Sequence, residues 1–254
     1  MRKLFFGLFI LIYSTGFGQS QDLFFKEGEW FKYRIHYGLI NAGFAELKLE
    51  ESHLNPDEFH AIGTGKTTGM ASLFFKVKDR YESYFSKDST KPSYAIRRVD
   101  EGGYTIRRNI AFDTIANTAV TEDLKKKTID TAAVAEVYDF ISGFYKMRTT
   151  SFKNQEIGDQ TLLNLFFDEE VFPFQLKLIG REVIRTKFGK IKALKLRPIV
   201  QSGRVFKEEE SLTVWVTDDK NKIPVRIKAD LAVGSLKADL IEYKGLTHPF
   251  ELVY

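Results

Sequence analysis

Apolar and polar residues alternate along most of this chain, and a period of two is the signature of strands in a sheet that is wet on one side. In Trp30–Tyr37, Phe31, Tyr33, Ile35 and Tyr37 alternate with Lys32, Arg34 and His36. Gly43, Ala45, Leu47 and Leu49 alternate with Glu46, Lys48 and Glu50, and Asn41 with its small neighbours is read as the turn of a first hairpin. Further strands are expected over 57–66, 77–86, 93–99, 104–112, 161–168, 172–182, 183–187, 191–200, 204–217, 223–232 and 235–243. Asp100–Gly103, Phe188–Lys190 and Asp218–Asn221 are the turn formers between them. The 23 Phe and 11 Tyr suit pleated, β-rich cores.

One segment departs from that rhythm. Val134, Val137, Tyr138, Ile141, Phe144 and Tyr145 recur at helical spacing, which predicts a main helix over about 132–149. Asp130 or Thr131 is its expected N-cap, and Lys146 and Arg148 suit the negative end of its dipole. A short helix is expected over Gly69–Phe75. Many consecutive strands around one helix argue for an antiparallel meander and against βαβ units. A meander this long must curl. The expected fold is therefore mainly β: a strongly curved meander closing into a half-open or closed barrel, with the helix on its concave face. No repeat or Pro-rich linker divides residues 19–254, so a single β-rich domain is expected.

Residues 1–18 have the layout of a secretory signal: Arg2 and Lys3, an apolar run from Leu4 to Tyr13, and small residues at Gly16 and Gly18. The run is too short to span a bilayer. A product starting at Gln19 would be periplasmic or secreted. Removing the segment lowers the net charge from +4 to +2, which lends no support to a nucleic-acid partner. The chain has no cysteine, so neither a lipid anchor following the signal nor a Cys-type zinc site is expected. No second apolar stretch approaches twenty residues, so no transmembrane anchor is expected, and the protein is read as a monomer.

The catalytic look-alikes fail on spacing. Gly63–Gly69 suggests a phosphate loop, but the glycine needed five positions before Gly65-Lys66-Thr67 is His60. His36, His53, His60 and His248 lie far apart without metal-ligand spacing and are read as surface histidines. Asp218-Asp219-Lys220-Asn221 lacks the ligand spacing of a calcium loop and is read as a hairpin turn. No Gly-x-Ser-x-Gly elbow is present, and Lys207–Glu210 is read as a solvated edge. No metal and no cofactor are expected.

Two arginines stand in apolar stripes. Arg108 shares a strand face with Tyr104, Ile106, Ile110 and Phe112, and Arg148 continues the Tyr138, Ile141, Tyr145 line of the helix. A guanidinium so placed needs a partner. The bland reading is an ion pair, with Asp139 or a strand glutamate, or an Arg148 that snorkels past the helix end. The functional reading is that one or both meet a ligand's carboxylate or phosphate at an apolar cavity. Arg97-Arg98 and Arg107-Arg108 would face each other across the 100–103 turn.

Gly28–Gly38 followed by Asn41-Ala42-Gly43 resembles the opening of the domain of unknown function 3108 family. Val137–Arg148 is similar to that family's central helix with its Asp and closing Arg. Gly180–Ile184 with Gly189 resembles its Gly-x-Glu strand, and Leu212–Asp219 with Pro224-Val225 its Trp-containing strand and Asp-Asp turn. The likeness covers nearly all of 19–254. It implies an exported bacterial envelope protein, with a shape akin to the periplasmic lipoprotein-carrier fold. It also draws attention to Asp139 and Arg148.

The function expected is therefore that of a non-enzymatic periplasmic β protein holding an apolar or acyl ligand. Tyr138, Phe144 and Tyr145 would line the cavity, Arg108 or Arg148 would meet the polar head, and Asp139 would be structural. The alternative is an envelope scaffold with a filled core and a protein partner. An enzyme would need acids or histidines gathered in one cleft, and no spacing shows that.

Overall fold

The computed structural model describes residues 24–199 and 211–254. The 1–18 signal, the Gln19 start, the beginning of the 204–217 strand and the Lys207–Glu210 edge lie outside the described residues. The chain opens with β1 (Trp30–Tyr37), β2 (Ile40–Glu51) and β3 (Glu58–Thr67), then a single turn of helix, α1 (Ala71–Phe74). It continues through β4 (Lys78–Ser86), β5 (Pro92–Glu101), β6 (Tyr104–Asp113), β7 (Thr118–Asp123), β8 (Thr128–Ala133) and β9 (Val137–Tyr138). The main helix α2 (Phe140–Arg148) follows. The last strands are β10 (Gln160–Phe167), β11 (Glu170–Thr186), β12 (Gly189–Ile199), β13 (Leu212–Thr217), β14 (Pro224–Asp230) and β15 (Ser235–Lys244).

Among the described residues, fifteen strands form one sheet in the order β8-β7-β6-β5-β4-β3-β2-β1-β15-β14-β13-β12-β11-β10-β9. Each strand pairs antiparallel with its sequence neighbour, β1 pairs with β15, and only the two rungs of β9 on β10 are parallel. The two edges of the sheet, β8 and β9, are consecutive in the chain and joined by residues 134–136 alone. So short a link spans at most about 14 Å, so the sheet must curl until its edges meet. That is the strongly curved, mainly β meander expected from the alternation.

A hydrophobic cluster crosses the place where the edges meet: Ala95, Ile110 and Ala119 from β5–β7 pack with Val134, Val137 and Phe166. A second gathers Phe25, Leu49, Phe59 and Phe85 around Ile141 and Tyr145 of α2. The helix thus lies inside the curl, against β3, β4, β9 and β10.

The main helix is shorter than its periodicity suggests. It starts at Phe140, not near 132, and its N-cap is Asp139, not Asp130 or Thr131. Residues 128–133 are the edge strand β8, and Val134, Val137 and Tyr138 are apolar because they plug the seam and pair with β10. The first hairpin turns at Gly38–Leu39, with Gly38 at φ 53°, and Asn41 belongs to β2. The 172–182 and 183–187 segments form one continuous strand, β11. The Gly63–Gly69 stretch is the end of β3 and the lead into α1.

Candidate functional site

Arg148 closes α2 with its side chain inside the molecule, 2% exposed. Its Nη1 and Nη2 donate to Glu29 Oε1 and Oε2 at 2.5 and 2.8 Å, a bidentate fork. Nε donates to the Asn221 carbonyl at 2.9 Å, and Nη2 also reaches the Phe24 carbonyl at 3.3 Å. Phe25, Phe31, Phe144 and Tyr145 surround the guanidinium, with ring centres 5.3 to 5.6 Å away. Burial opposes the charge on Arg148, and Glu29 outweighs it, raising the arginine above its ordinary value. The arginine is neither snorkelling nor paired with Asp139. Its partner is the glutamate that leads into β1, which is held in place because its carbonyl accepts the Leu49 N–H at 2.8 Å.

Beside this pair, α2 and the β10–β14 side of the sheet leave an apolar cavity of about 360 Å³. Phe140, Gly143, Phe144 and Met147 form its helix wall. Phe152, Leu163, Phe174, Leu196, Val214 and Ile227 are among the residues on the sheet side. Gly143 lets the helix sit close to the strands, because a Cβ there would stand 2.7 Å from a Leu165 methyl. Among the described residues, two cationic side chains border the space, Arg148 and Lys222, the latter from the turn between β13 and β14.

Arg108 lies elsewhere, at the seam. Its Nε donates to Asp123 at 3.2 Å, its Nη1 to Asp168 at 3.0 Å, and its Nη2 stands 3.1 Å from Glu169. Arg97, directly opposite in register, binds the same Asp168 oxygen at 2.6 Å and stacks 4.0 Å over Phe167. The space beside this cluster is about 30 Å³, room for about one water. The outward pair, Arg98 and Arg107, turns its donors to the carbonyls of Arg108 and Val99 and to Asn109. The four arginines do face one another as the sequence suggests, with protein groups engaging both pairs, although the buried Nε of Arg97 has no hydrogen-bond partner among the described residues.

Of the residues expected to bind ligand, Phe144 and Arg148 line the apolar cavity, whereas Arg108, Tyr138 and Tyr145 do not. Tyr138 packs with Leu163 and Leu165. Tyr145 is fully buried against Phe25 and Phe85, its hydroxyl beside Glu29 but outside hydrogen-bond geometry. Burial pushes that phenol well above its ordinary value. Asp139 takes a structural position. Its Oδ1 accepts the N–H of Ile141 and Ser142 at 2.8 and 3.2 Å, and its Oδ2 accepts the hydroxyls of Ser83 and Ser142. Burial raises this carboxyl, with the four hydrogen bonds acting against the shift.

Two histidines read as surface residues are buried. His36 bonds Asp239 and His60 bonds Glu82, each at 2.8 Å. The Asp218–Asn221 segment is the hairpin turn expected of it, with Asp219 accepting the N–H of Asn221 and Lys222. Glu29 and Lys222 escaped sequence reasoning. The Gly-Glu lead-in of the first strand pointed at Glu29, and nothing in a polar turn distinguishes Lys222.

A family model described as protein of unknown function (DUF3108) matches residues 32–241. No curated protein matches the sequence. Among solved structures, the chain is similar to a β-barrel-like protein of domain of unknown function DUF1849 from Brucella abortus. The TM-score is 0.57 at 9% identity, over 86% of this chain and 98% of that one. That likeness shows the fold alone. A Bacteroides fragilis protein described as exported and YmcC-like in fold matches at TM-score 0.34 and 8% identity, over 87% and 97% of the two chains. A Parabacteroides distasonis protein described as a lipoprotein matches at 0.37 and 14%, over 87% and 98%. Scores that low bear on neither fold nor function.

Proposed function

The chain belongs to the DUF3108 family, and from that premise we propose that it is a non-enzymatic binding protein of the bacterial envelope that holds an apolar or acyl ligand between α2 and the β10–β14 wall. The observation that carries this reading is the cavity of about 360 Å³ inside the curl, walled by hydrocarbon and aromatic side chains. Protein interiors otherwise pack to crystal-like density, and ligand pockets run from about 300 to 1,000 Å³. Phe144 supplies part of the wall. Arg148 forms one end, with four of its five N–H donors committed to protein acceptors. The placement in the envelope rests on the signal-like residues 1–18.

Native mass spectrometry of protein expressed with its leader tests the reading. The wild type is expected to carry an apolar small molecule or to take one up after delipidation. Val214→Trp, which fills the cavity from β13, is expected to lose it while keeping the wild-type fold by circular dichroism. A wild type that neither carries nor takes up an apolar molecule overturns the reading.

One observation favours the scaffold alternative. None of the residues of α1 is buried, and Met70, Leu73 and Phe74 are exposed together next to β4. Cross-linking in cells is expected to capture an envelope protein through this turn if the alternative holds, and Leu73→Glu with Phe74→Glu would abolish the capture.

A further inference from the structure

The outer face of β3–β6 carries a block of like charge. Arg80, Arg98 and Arg107 stand directly opposite one another on three adjacent strands, and Lys66 stands opposite Lys78. All five border one open depression of about 530 Å³. Like charges in cross-strand register destabilise a sheet, and the three acids that share the depression, Glu46, Asp79 and Asp100, answer them only in part. Glu46 accepts the Trp30 indole N–H at 3.3 Å and lies 3.6 Å from Lys32, and Asp79 accepts the Asp100 N–H at 3.0 Å. Arg80 pairs with Glu82 at 2.7 Å, and Arg98 and Arg107 turn donors to backbone carbonyls. Lys66 and Lys78 are exposed and have no ion pair among the described residues. Burial, together with Arg107, holds Arg98 below its ordinary value.

Beside this block the chain forms an apolar tip. Lys66 and Lys78 flank the β3–β4 connection, which carries α1, and there Leu73 and Phe74 are 83% and 84% exposed, with Met70 exposed beside them. The β1–β2 turn joins this tip: the Thr68 N–H donates to the Ala42 carbonyl at 3.0 Å, and its hydroxyl accepts from the Asn41 amide at 3.3 Å. That turn adds Leu39 and Ile40, both exposed. Protruding apolar side chains next to a basic face match a membrane interface, where hydrocarbon enters the acyl boundary and cations meet anionic head groups. A protein-binding patch differs, since lysine is depleted from interface cores. We propose that this corner of the molecule docks on an anionic phospholipid surface, with Leu39, Met70, Leu73 and Phe74 in the acyl boundary and the β3–β6 cations against the phosphates. The proposal stands apart from the cavity reading, because none of these residues lines that cavity.

Sedimentation with vesicles tests this on protein purified after expression with its leader. The wild type is expected to bind equimolar phosphatidylglycerol–phosphatidylcholine vesicles about twenty-five-fold or more tightly than pure phosphatidylcholine, since Lys66 and Lys78 alone contribute about five-fold each. Lys66→Gln with Lys78→Gln is expected to lose that factor. Leu73→Asn with Phe74→Asn is expected to weaken binding to both kinds of vesicle about ten-fold. Phe74→Trp is expected to shift its emission to the blue on anionic vesicles, as an indole leaving water does. Val214→Trp, which fills the cavity, is expected to bind vesicles as the wild type does. A loss of vesicle binding in Val214→Trp would mean lipid drawn into the cavity and would overturn the docking face. Equal binding to the two compositions, a double lysine variant that binds like the wild type, or an unshifted Phe74→Trp overturns it as well. A chain that binds no vesicle yet loses a cross-linked envelope protein on Leu73→Glu with Phe74→Glu overturns it in favour of a protein partner.

Discussion

Arg148 and Glu29 are 119 positions apart, and together they show how one buried pair ties the helix to the first strand. Neither side chain has water to fall back on, since both are essentially inaccessible. Removing one partner therefore strands the other's charge in an aromatic surround, at a cost of about 3–5 kcal/mol, whereas replacing both by apolar groups is often close to neutral. Arg148→Met is accordingly expected to lower the unfolding free energy by about that amount. Arg148→Met with Glu29→Met is expected to recover most of it, measured by urea unfolding at neutral pH. A double variant as unstable as the single would mean that the loss comes from packing around Phe25 and Phe31, not from charge. The arginine was legible in the sequence because a guanidinium in an apolar stripe always needs an explanation. Its partner was not, because a contact between the start of the first strand and the end of the helix leaves no local spacing to read.

At the scale of elements, Asp139 sets where α2 begins. The carboxylate caps Ile141 and Ser142 and receives the Ser142 hydroxyl, whose Oγ accepts the Asp139 N–H at 3.0 Å, so the first turn is closed from both sides. Asp139→Ala is expected to cost about 1–2 kcal/mol. Asp139→Asn behaves differently, because the amide oxygen keeps the caps and carries no buried charge. Burial raises the aspartate's folded pKa above its unfolded value, so its stabilisation is complete below the ordinary carboxylate range and is lost as pH rises through the folded pKa. Thermal melts are therefore expected to show Asp139→Asn matching the wild type near pH 3 and equalling or exceeding it at pH 7. An asparagine variant that falls further behind as pH rises would contradict the raised pKa. Sequence periodicity placed this helix eight residues too early for a reason that generalises. Val134, Val137 and Tyr138 happen to continue the helical spacing of Ile141 and Tyr145, although they are buried by the seam. The strand β7 carries no hydrophobic alternation that a sequence could show, because its inward residues are Ala119, Thr121 and Asp123.

For the whole molecule, the decisive region is the seam where a fifteen-strand sheet meets its own other edge. Backbone pairing does not join β8 to β9, so side chains must close the ring. The hydrophobic part is the Ala119, Val137 and Phe166 cluster. The polar part is the two-residue turn between β10 and β11, where Asp168 and Glu169 both adopt left-handed backbone, at φ 49° and 67°. That double left-handed geometry is the type I′ hairpin turn, which favours Asn-Gly. Two acids occupy it here, each engaged by an arginine from β5 or β6 across the seam: Asp168 by Arg97 and Arg108, Glu169 by Arg108. Local preference and the closure of the ring therefore pull in opposite directions, and a substitution can separate them. Asp168→Asn with Glu169→Gly improves the turn by its own propensities, so a hairpin with no partner would gain stability. If the acids clasp the seam, the same change leaves Arg108 with Asp123 and removes the Asp168 ion pair of Arg97. It is then expected to lower stability by about 1–3 kcal/mol. Amide exchange should quicken in β6, β7 and β10 and stay unchanged in β14 and β15. A variant more stable than the wild type, with exchange unaltered along β6 and β10, would mean that the hydrophobic cluster closes the ring by itself.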